Sequence, residues 1–369
     1  MTENVMARHR FPTDTDTIIE RMLAVDPIRY GKTRNFLDGA VTYLSPYISR
    51  GVLSTKMVME SVLNRGYPPS SIEKFLQELA WRDYWQQLWI AKGHEINSAI
   101  RQPQSGVENR GIAQAILDAR TGIDAIDNGL KTLYDTGYMH NHLRMYVASI
   151  VGNISKSHWL LPARWMYYHL LDADWASNAL SWQWVVGANS SKKYYANQGN
   201  INTYCQSDQH GTFLDVSYDE IVSIPVPDSL ENIAQPVFYT PFPESDALSI
   251  VPDRPTLIYN FYNLDPNWMA DKNANRILLL EPSVFAQYPI GQQSVDFMMA
   301  LTKNIPDIQV FVGEFEALKQ NLGTSQLHYK EHPLNRHYEG IETPRDWMFS
   351  VNGYYRSFFA FWKRCKKEL

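Results

Sequence analysis

The strongest constraint on the fold of this chain is a change in its apolar pattern between the first and the second part. Over roughly the first 205 residues, apolar side chains recur at three- and four-residue spacing with few β-branched runs, which predicts helices. Three of these helices are expected at 71–89, 141–156 and 162–171. Beyond residue 255, short apolar runs at 256–262, 276–281 and 307–313 are interrupted by a helical pattern. This alternation predicts a small α/β unit with a parallel sheet.

Proline density marks the boundary between the two patterns. Seven of the twenty prolines fall between residues 221 and 255. Proline fixes φ and removes a backbone donor, so this density favours a linker that runs over a surface. We therefore predict a helical domain at 1–220, a linker at 221–255 and an α/β domain at 256–369. The last of these should end in a helix whose apolar face carries Tyr355, Phe358, Phe359 and Trp362.

Composition excludes several classes of protein. A chain of 369 residues is long enough for about two domains of ~150 residues with substantial cores. Its two cysteines, Cys205 and Cys365, are too few for a disulfide framework, a four-cysteine iron–sulfur cluster or a four-cysteine zinc site. The N-terminal residues do not resemble a signal peptide, and no apolar run approaches the ~20 residues that cross a bilayer. We expect a cytoplasmic, monomeric protein with no membrane partner.

Charge and aromatic content leave the ligand class open. The net charge of −5 is uneven, because residues 1–210 carry 21 basic and 19 acidic side chains whereas residues 211–369 carry 13 and 20. Charge alone therefore neither supports nor excludes nucleic acid as a partner. Eight of the eleven tryptophans fall between Trp81 and Trp184. Such a cluster either fills a core or walls a cavity that holds a flat ligand.

Two helical segments mix charged and aromatic side chains on one face. In the first, Glu78, Trp81, Arg82 and Trp85 share a face, which indicates either a surface ion pair over a tryptophan-rich core or the wall of a polar cavity. In the second, residues 136–145, one face carries Asn141, Arg144 and Met145.

Two further segments suggest ligand contacts. Asp172 and Asp174 lie close enough to suggest a metal, but no other ligand is adjacent, so we expect them to bind a heterocycle or an arginine. Hydroxyls at 30–34 and 42–54 precede a helix, which is typical of a phosphate seat or of a capped turn.

In their order and spacing, these segments resemble the photolyase/cryptochrome family in its helical FAD-binding domain. The resemblance runs from about Tyr30 to Tyr195 and rests on four motifs. These are Leu44-Ser45-Pro46-Tyr47 with Gly51, Glu78-Leu79-Ala80-Trp81-Arg82, Met139-His140-Asn141 through Arg144-Met145, and Asp172 through Trp184. The expected fold class is a mostly α-helical photolyase-like FAD-binding domain followed by a smaller α/β domain that is Rossmann-like.

The resemblance implies FAD as cofactor and a role for each matching position. The side chains that would hold the pyrophosphate and ribityl chain are Tyr30, Thr42, Ser45 and Arg82. Asp172 and Asp174 would bind the edge of the flavin ring, with Arg144 paired to Asp172. Asn178 would face the flavin N5, where an amide can stabilise the reduced ring.

The resemblance also implies a substrate. Members that repair cyclobutane pyrimidine dimers line a cavity with a glutamate, an asparagine, a methionine and two tryptophans, which are here Glu78, Asn141, Met145, Trp81 and Trp184. The branch that repairs (6-4) photoproducts has histidines at Asn141 and Met145 and fits less well. The expected activity is that of a deoxyribodipyrimidine photolyase-like lyase, in which FAD-dependent, light-driven electron transfer splits dimers in UV-damaged DNA. The alternatives are a cryptochrome-like blue-light photoreceptor that signals through the acidic C-terminal part, and a light-independent flavoprotein.

Several positions depart from the family pattern. Trp182 and Trp159 match the first two members of the family's electron-transfer chain, but the third has no match. Trp175, Trp165 or a tyrosine could complete another route, or these side chains could simply fill the core. The arginine that commonly follows the cavity asparagine is His142 here, which puts duplex affinity in doubt unless Arg34, Lys192 and Lys193 compensate. In the family an α/β antenna domain usually comes first, whereas here the α/β segment follows. This segment could be a rearranged or reduced antenna-like domain, although no motif in it identifies an antenna pigment. His328, His332 and His337 are predicted to lie in loops.

Overall fold

The part of the chain before the proline-rich segment is helical. The computed structural model describes residues 11–323 and 325–369. The α-helices up to residue 221 are α1 (Thr15–Leu23), α2 (Pro27–Thr33), α3 (Ser45–Ser49), α4 (Thr55–Leu63), α5 (Glu73–Lys92), α6 (Gln114–Leu117), α7 (Asp124–Thr136), α8 (Asn141–Ser149), α9 (Leu160–His169), α10 (Trp175–Val185), α11 (Gln198–Cys205) and α12 (Tyr218–Ile221).

The three helices predicted from apolar spacing are present with altered ends. The helix predicted at 71–89 begins at Glu73, because Pro69–Ser71 form a 3₁₀ turn and Ile72 occupies the cap position without a side-chain hydrogen bond. The α-helical part of α8 ends at Ser149 and continues as a π-helical turn over Ile150–Ile154, so the predicted end at residue 156 is wrong. The mostly apolar segment 147–154 does not indicate this change in hydrogen bonding.

A five-stranded parallel sheet forms the core of the C-terminal part. Its strands are β3 (Thr256–Tyr259), β4 (Asn275–Leu280), β5 (Ile308–Val312), β6 (Leu327–Lys330) and β7 (Ile341–Thr343), in the order β5-β4-β3-β6-β7. All neighbours pair in parallel. The order places β3 in the centre with the chain winding outward on both sides, which is the Rossmann-like arrangement expected from the sequence.

Strands β6 and β7 were not predicted, because they are short and carry polar side chains. His328 pairs in β6, so the prediction that it lies in a loop is wrong. The helices of this part are α13 (Pro282–Gln287), α14 (Gln292–Thr302), α15 (Phe315–Asn321) and α16 (Phe358–Cys365).

The proline-rich segment runs along the surface and is joined to the rest of the protein by backbone hydrogen bonds at several points. A short antiparallel pair joins β1 (Ile112–Ala113) to β2 (Ile233–Ala234). Further on, the backbone N–H of Asp246 donates to the carbonyl of Val310 at 2.8 Å, so the segment also covers the free edge of β5. One apolar core includes side chains from the helical part and from the sheet. The division at 1–220, 221–255 and 256–369 therefore remains a proposal.

The C-terminal helix α16 packs on α5 with a face that differs from the predicted one. Its buried side chains are Phe358, Phe361, Trp362 and Cys365, whereas Phe359 is 68% exposed. Tyr355 lies before the first turn of the helix. The predicted face was counted from Tyr355 as if the helix already included it. Because the helix begins at Phe358, the buried side chains follow a different set of positions.

Neither a membrane-spanning helix nor a metal-binding cluster occurs among the residues that the structure describes. Within residues 11–323 and 325–369, no helix is both long and apolar enough to cross a bilayer. Over the same ranges, no three His, Cys, Asp or Glu side chains are grouped so that they could hold a metal ion.

Candidate functional site

Helix packing brings the four sequence motifs to one region. Helix α5 packs against α2 and α10, and α10 also packs against α8 and α9. Asp172 and Asp174 lie in the turn between α9 and α10, so they reach side chains of both α5 and α8. The motifs are therefore neighbours in space, although the first and the last of them lie more than 100 residues apart in the chain.

The expected pair between Arg144 and Asp172 is present. Arg144 Nη2 donates to both carboxylate oxygens of Asp172, at 3.0 and 3.1 Å, and its Nε donates to the carbonyl of Met139 at 2.8 Å. The Asp172 side chain is almost fully buried and that of Arg144 is largely buried. A buried carboxylate needs such a partner, because an uncompensated charge in the interior is costly.

The environment of Asp172 keeps its carboxylate ionised. Burial acts to raise its pKa, but the charges of Arg144 and Arg82 and a hydrogen bond from Ser45 outweigh burial, and the net effect is to lower the pKa. Ser49 supports the same turn, since its hydroxyl donates to the carbonyl of Asp172 at 3.1 Å and accepts from Arg82 Nη1 at 3.2 Å.

Asp174 is held from three directions. It caps the N-terminus of α10, where Oδ1 accepts from the backbone N–H of Ser177 at 3.0 Å. Gln86 Nε2 donates to both carboxylate oxygens, at 3.0 and 3.1 Å, and Arg82 Nη1 lies 3.9 Å from Oδ2. Asp174 is thus fixed as a buried hydrogen-bond acceptor next to Asp172.

Asn178 completes this part of the site one turn further along α10. Its Nδ2 donates to the carbonyl of Ala163 at 2.7 Å, so the amide oxygen points away from that carbonyl. The site thus offers two buried carboxylates, a fixed amide and a largely buried guanidinium at Arg82. This donor and acceptor set fits a flavin, whose ring edge presents both N–H and C=O groups.

The remaining positions predicted for the cofactor lie on neighbouring elements. Ser45 is the first residue of α3 and bonds to Asp172, and the hydroxyl of Thr42 accepts from the backbone N–H of Leu44 at 3.3 Å. Tyr30 lies on α2 with its ring edge-on to Phe75, at 5.2 Å between centroids. Burial raises the pKa of Tyr30, with a further increase from Glu78.

Glu78 is paired with two cations. Its Oε1 lies 3.3 Å from Arg34 Nε and 2.9 Å from Lys74 Nζ, and the side chain is only partly exposed. The anticipated Glu78–Arg82 pair is replaced by this arrangement, since Arg82 instead faces Ser49 and Asp174. Arg34 and Lys74 therefore join Glu78 as polar groups at the rim of the site.

The two predicted wall tryptophans have different surroundings. Trp184 is 40% exposed and lies 5.9 Å from the ring of Tyr194. One face of Trp81 is covered by Phe358 of α16, with 3.9 Å between ring centroids and 10° between the planes. Asn141 is exposed in the first turn of α8, and Met145, one turn later, is partly buried.

The tryptophans predicted for electron transfer are buried. Trp182 and Trp159 are 2% and 0% exposed. Trp175 adjoins the rings of Tyr167 and Tyr288, at 5.5 and 5.4 Å between centroids.

The positions discussed for DNA contact are only partly available. The His142 ring packs between Tyr146 and Tyr204, and burial lowers its pKa. Lys193 Nζ donates to the carbonyl of Ser105 at 2.8 Å, whereas Lys192 is exposed.

Sequence reasoning missed five residues of the site, and one of them is Lys74, which lies one helical turn before Glu78. Gln86 and Ser49 lie one helical turn after Arg82 and Ser45, so helical spacing could have indicated them. Arg345 and Phe358 come from the C-terminal part and reach the site through tertiary contacts alone. No local pattern could have indicated these two.

Known proteins match the helical part of the chain. The family model for the FAD-binding domain of DNA photolyase matches residues 75–234. A deoxyribodipyrimidine photo-lyase of Alkalihalophilus pseudofirmus is 30% identical over 187 residues, which cover 49% of this chain and 39% of that protein. A cryptochrome DASH of Oryza sativa subsp. japonica is 28% identical over 208 residues, or 53% of this chain and 35% of that protein.

A solved structure matches at lower similarity. The crystal structure of a bacterial class III photolyase from Agrobacterium tumefaciens is 25% identical, with a TM-score of 0.39 over 47% of this chain and 38% of that chain. The chain spans less than half the length of the curated relatives named above. Residues 75–234 thus match the FAD-binding domain of DNA photolyase, which supports FAD as the cofactor of the helical part.

Proposed function

We propose that this protein uses light and FAD to split cyclobutane pyrimidine dimers in UV-damaged DNA, as a deoxyribodipyrimidine photolyase-like lyase. The observation that carries the proposal is the position of Asn141 on α8. It lies one turn before Arg144, whose guanidinium holds the buried Asp172. The exposed amide proposed for the substrate and the buried pair proposed for the flavin thus share one helix face. The family model for the FAD-binding domain of DNA photolyase matches over this region.

Each proposed residue has a physical task. Bound FAD, when reduced and excited, supplies the electron that opens the dimer. Asp172 and Asp174 orient the ring edge, and Asn178 presents its amide to N5. Trp184 and Trp81 provide flat apolar walls for flipped-out pyrimidines, while Asn141 and Met145 line the floor. Glu78, with its partners Arg34 and Lys74, supplies polar contacts at the rim. Trp182 and Trp159 would carry electrons that reduce the flavin.

A repair assay tests this proposal. Reduced protein is illuminated with a dimer-containing oligonucleotide, and monomeric pyrimidines are measured against a dark sample. We expect repair that depends on light, a large loss with Trp184→Ala at unchanged FAD content, and no loss with Tyr239→Ala. Tyr239 is a matched control because it is an exposed aromatic side chain on the proline-rich segment. Absence of monomeric pyrimidine with the FAD-loaded protein would refute the proposal.

The stack of Phe358 on Trp81 favours a second candidate, a cryptochrome-like photoreceptor. A C-terminal helix that covers one proposed cavity wall could change its packing when the flavin changes state, and a cryptochrome DASH is among the relatives. Hydrogen exchange of α16 in light and darkness tests this candidate. Light-dependent loss of protection without any repair would support signalling, whereas protection that is identical in both conditions would exclude it.

The proposal also covers the partner, the oligomeric state and the cellular location of the protein. The partner is UV-damaged DNA, and we propose a monomer that works in the cytoplasm without an iron–sulfur cluster. Gel filtration with light scattering, run with and without the oligonucleotide, tests the monomer. A dimer at micromolar concentration would contradict it.

A further inference from the structure

A continuous chain of polar side chains leads from the α/β part to Asp174. Glu331, directly after β6, accepts from Arg345 Nε at 3.0 Å and from Arg345 Nη2 at 3.2 Å. Arg345 Nη1 donates to Gln86 Oε1 at 2.7 Å. Gln86 Nε2 in turn donates to both oxygens of Asp174. All four side chains are buried or partly buried, so the contacts are shielded from water.

The hydrogen bonds through Gln86 have only one favourable donor-to-acceptor direction. A glutamine amide has a donor end and an acceptor end, and Gln86 is buried between a guanidinium and a carboxylate. If the amide were rotated by half a turn, its oxygen would face the oxygens of Asp174 and its NH₂ group would face the N–H of Arg345. Both contacts would be repulsive. Arg345 therefore determines that Gln86 presents its donor to Asp174.

The guanidinium is itself fixed. Two of its nitrogens bind Glu331 as a fork and the third binds Gln86. Its Cζ lies 4.4 Å from the centroid of the Trp347 ring. Arg345 follows β7 by two residues, so its position depends on the sheet rather than on the helical part.

We propose that Arg345 and Gln86 are positioning residues through which the α/β part sets the hydrogen bonding of Asp174 and thereby the reduction potential of the flavin. The inference rests on the proposed contact between Asp174 and the flavin ring. With both residues in place, the negative charge of Asp174 is shared with Gln86 and offset by Arg345. Without them, the carboxylate interacts more strongly with the ring and disfavours the added electron, so the potential becomes more negative.

Two substitutions on different elements test the proposal, and one matched control accompanies them. Arg345→Met removes the donor to Gln86, and Gln86→Leu removes the relay itself. Lys330→Met is the control, since the ion pair of Lys330 with Asp265, at 2.7 Å, is buried to a similar degree and is not bonded to Gln86. Arg345→Lys keeps the charge but loses the fork.

The readouts are the midpoint potential of bound FAD and the affinities for oxidised and reduced FAD. Arg345→Met and Gln86→Leu should each make the potential more negative and weaken binding of reduced relative to oxidised FAD by roughly fivefold or more. Lys330→Met should leave both quantities unchanged, and Arg345→Lys should fall between wild type and Arg345→Met.

The outcomes separate this inference from the proposed function. Unchanged potentials in both test variants would overturn the inference and leave the proposed function intact, as would equal shifts in the Lys330→Met control. A wild-type protein that binds FAD but repairs no dimer would refute the proposed function and leave the inference standing. If Arg345→Met does not fold, Gln86→Leu decides the question alone.

Discussion

Removal of Arg144 should destabilise the protein strongly, and the loss should depend on pH. In Arg144→Met, the Asp172 carboxylate keeps its buried position and loses the guanidinium that binds both of its oxygens. Removal of one partner from a buried ion pair costs about 3–5 kcal/mol. We expect a loss of this size in the free energy of unfolding near pH 7.

The pH dependence follows from the direction of the pKa shift. In the wild type the pKa of Asp172 is lowered, so the stabilisation is complete above its usual value of 3.8 and is lost as pH falls through the lowered pKa. In Arg144→Met the opposing effect of burial dominates and raises the pKa. A proton then neutralises the carboxylate at moderately acidic pH, and the difference between variant and wild type shrinks.

Urea unfolding followed by circular dichroism at several pH values measures these quantities. Arg144→Met with Asp172→Asn should regain most of the free energy lost at neutral pH, because no buried charge remains. Lys56→Met serves as the exposed control, since its pair with Asp346 is nearly half exposed, and it should change stability by less than about 1 kcal/mol. A loss that is the same at every pH, or a double variant no better than Arg144→Met, would refute the reasoning.

Three further predictions rest on individual contacts in the two parts of the chain. The hydrogen bond from His337 to Glu281 raises the pKa of His337. His337→Gln should therefore lower the free energy of unfolding below pH ~6.5, and the difference should vanish as pH rises through the pKa of the folded state. Urea titrations at several pH values measure this difference. Gly51→Ala places a Cβ 2.6 Å from the carbonyl oxygen of Tyr262. Gly66→Ala has open space and adds only the strain of the left-handed conformation, about 1–2 kcal/mol. Gly51→Ala should therefore reduce the melting temperature more than Gly66→Ala, and equal losses would contradict this expectation. Phe358→Ala should change the affinity for the oligonucleotide, because Phe358 stacks on Trp81, whereas Phe359→Ala on the exposed side of the same turn should not. Equal affinities of the two variants in fluorescence titrations would exclude a role of α16 in oligonucleotide binding.

Local patterns predicted the helical part well. Apolar spacing places α5, α8 and α9, and the motif order brings Asp172 and Arg144 to positions where they do pair. The ends of these helices depend on details that spacing does not contain. Ile72 caps α5 without a polar side chain, and the π turn after Ser149 continues the same apolar run.

Long-range contacts explain what could not be predicted. The sequence indicates neither that Phe358 stacks on Trp81 nor that Arg345 reaches Gln86, because these residues are more than 250 positions apart. Strands β6 and β7 are held by pairing with their neighbours rather than by an apolar pattern of their own. The pairing of Glu78 with Arg34 depends likewise on how α2 packs against α5.

The flavin content of the purified protein decides whether the helical part binds FAD. After incubation with excess FAD and removal of free cofactor, the absorption spectrum should show about one FAD per chain. Asp174→Ala should weaken FAD binding by tenfold or more, since one charge-assisted hydrogen bond contributes about 1.5–3 kcal/mol. A wild-type chain that stays colourless at saturating FAD would contradict the account.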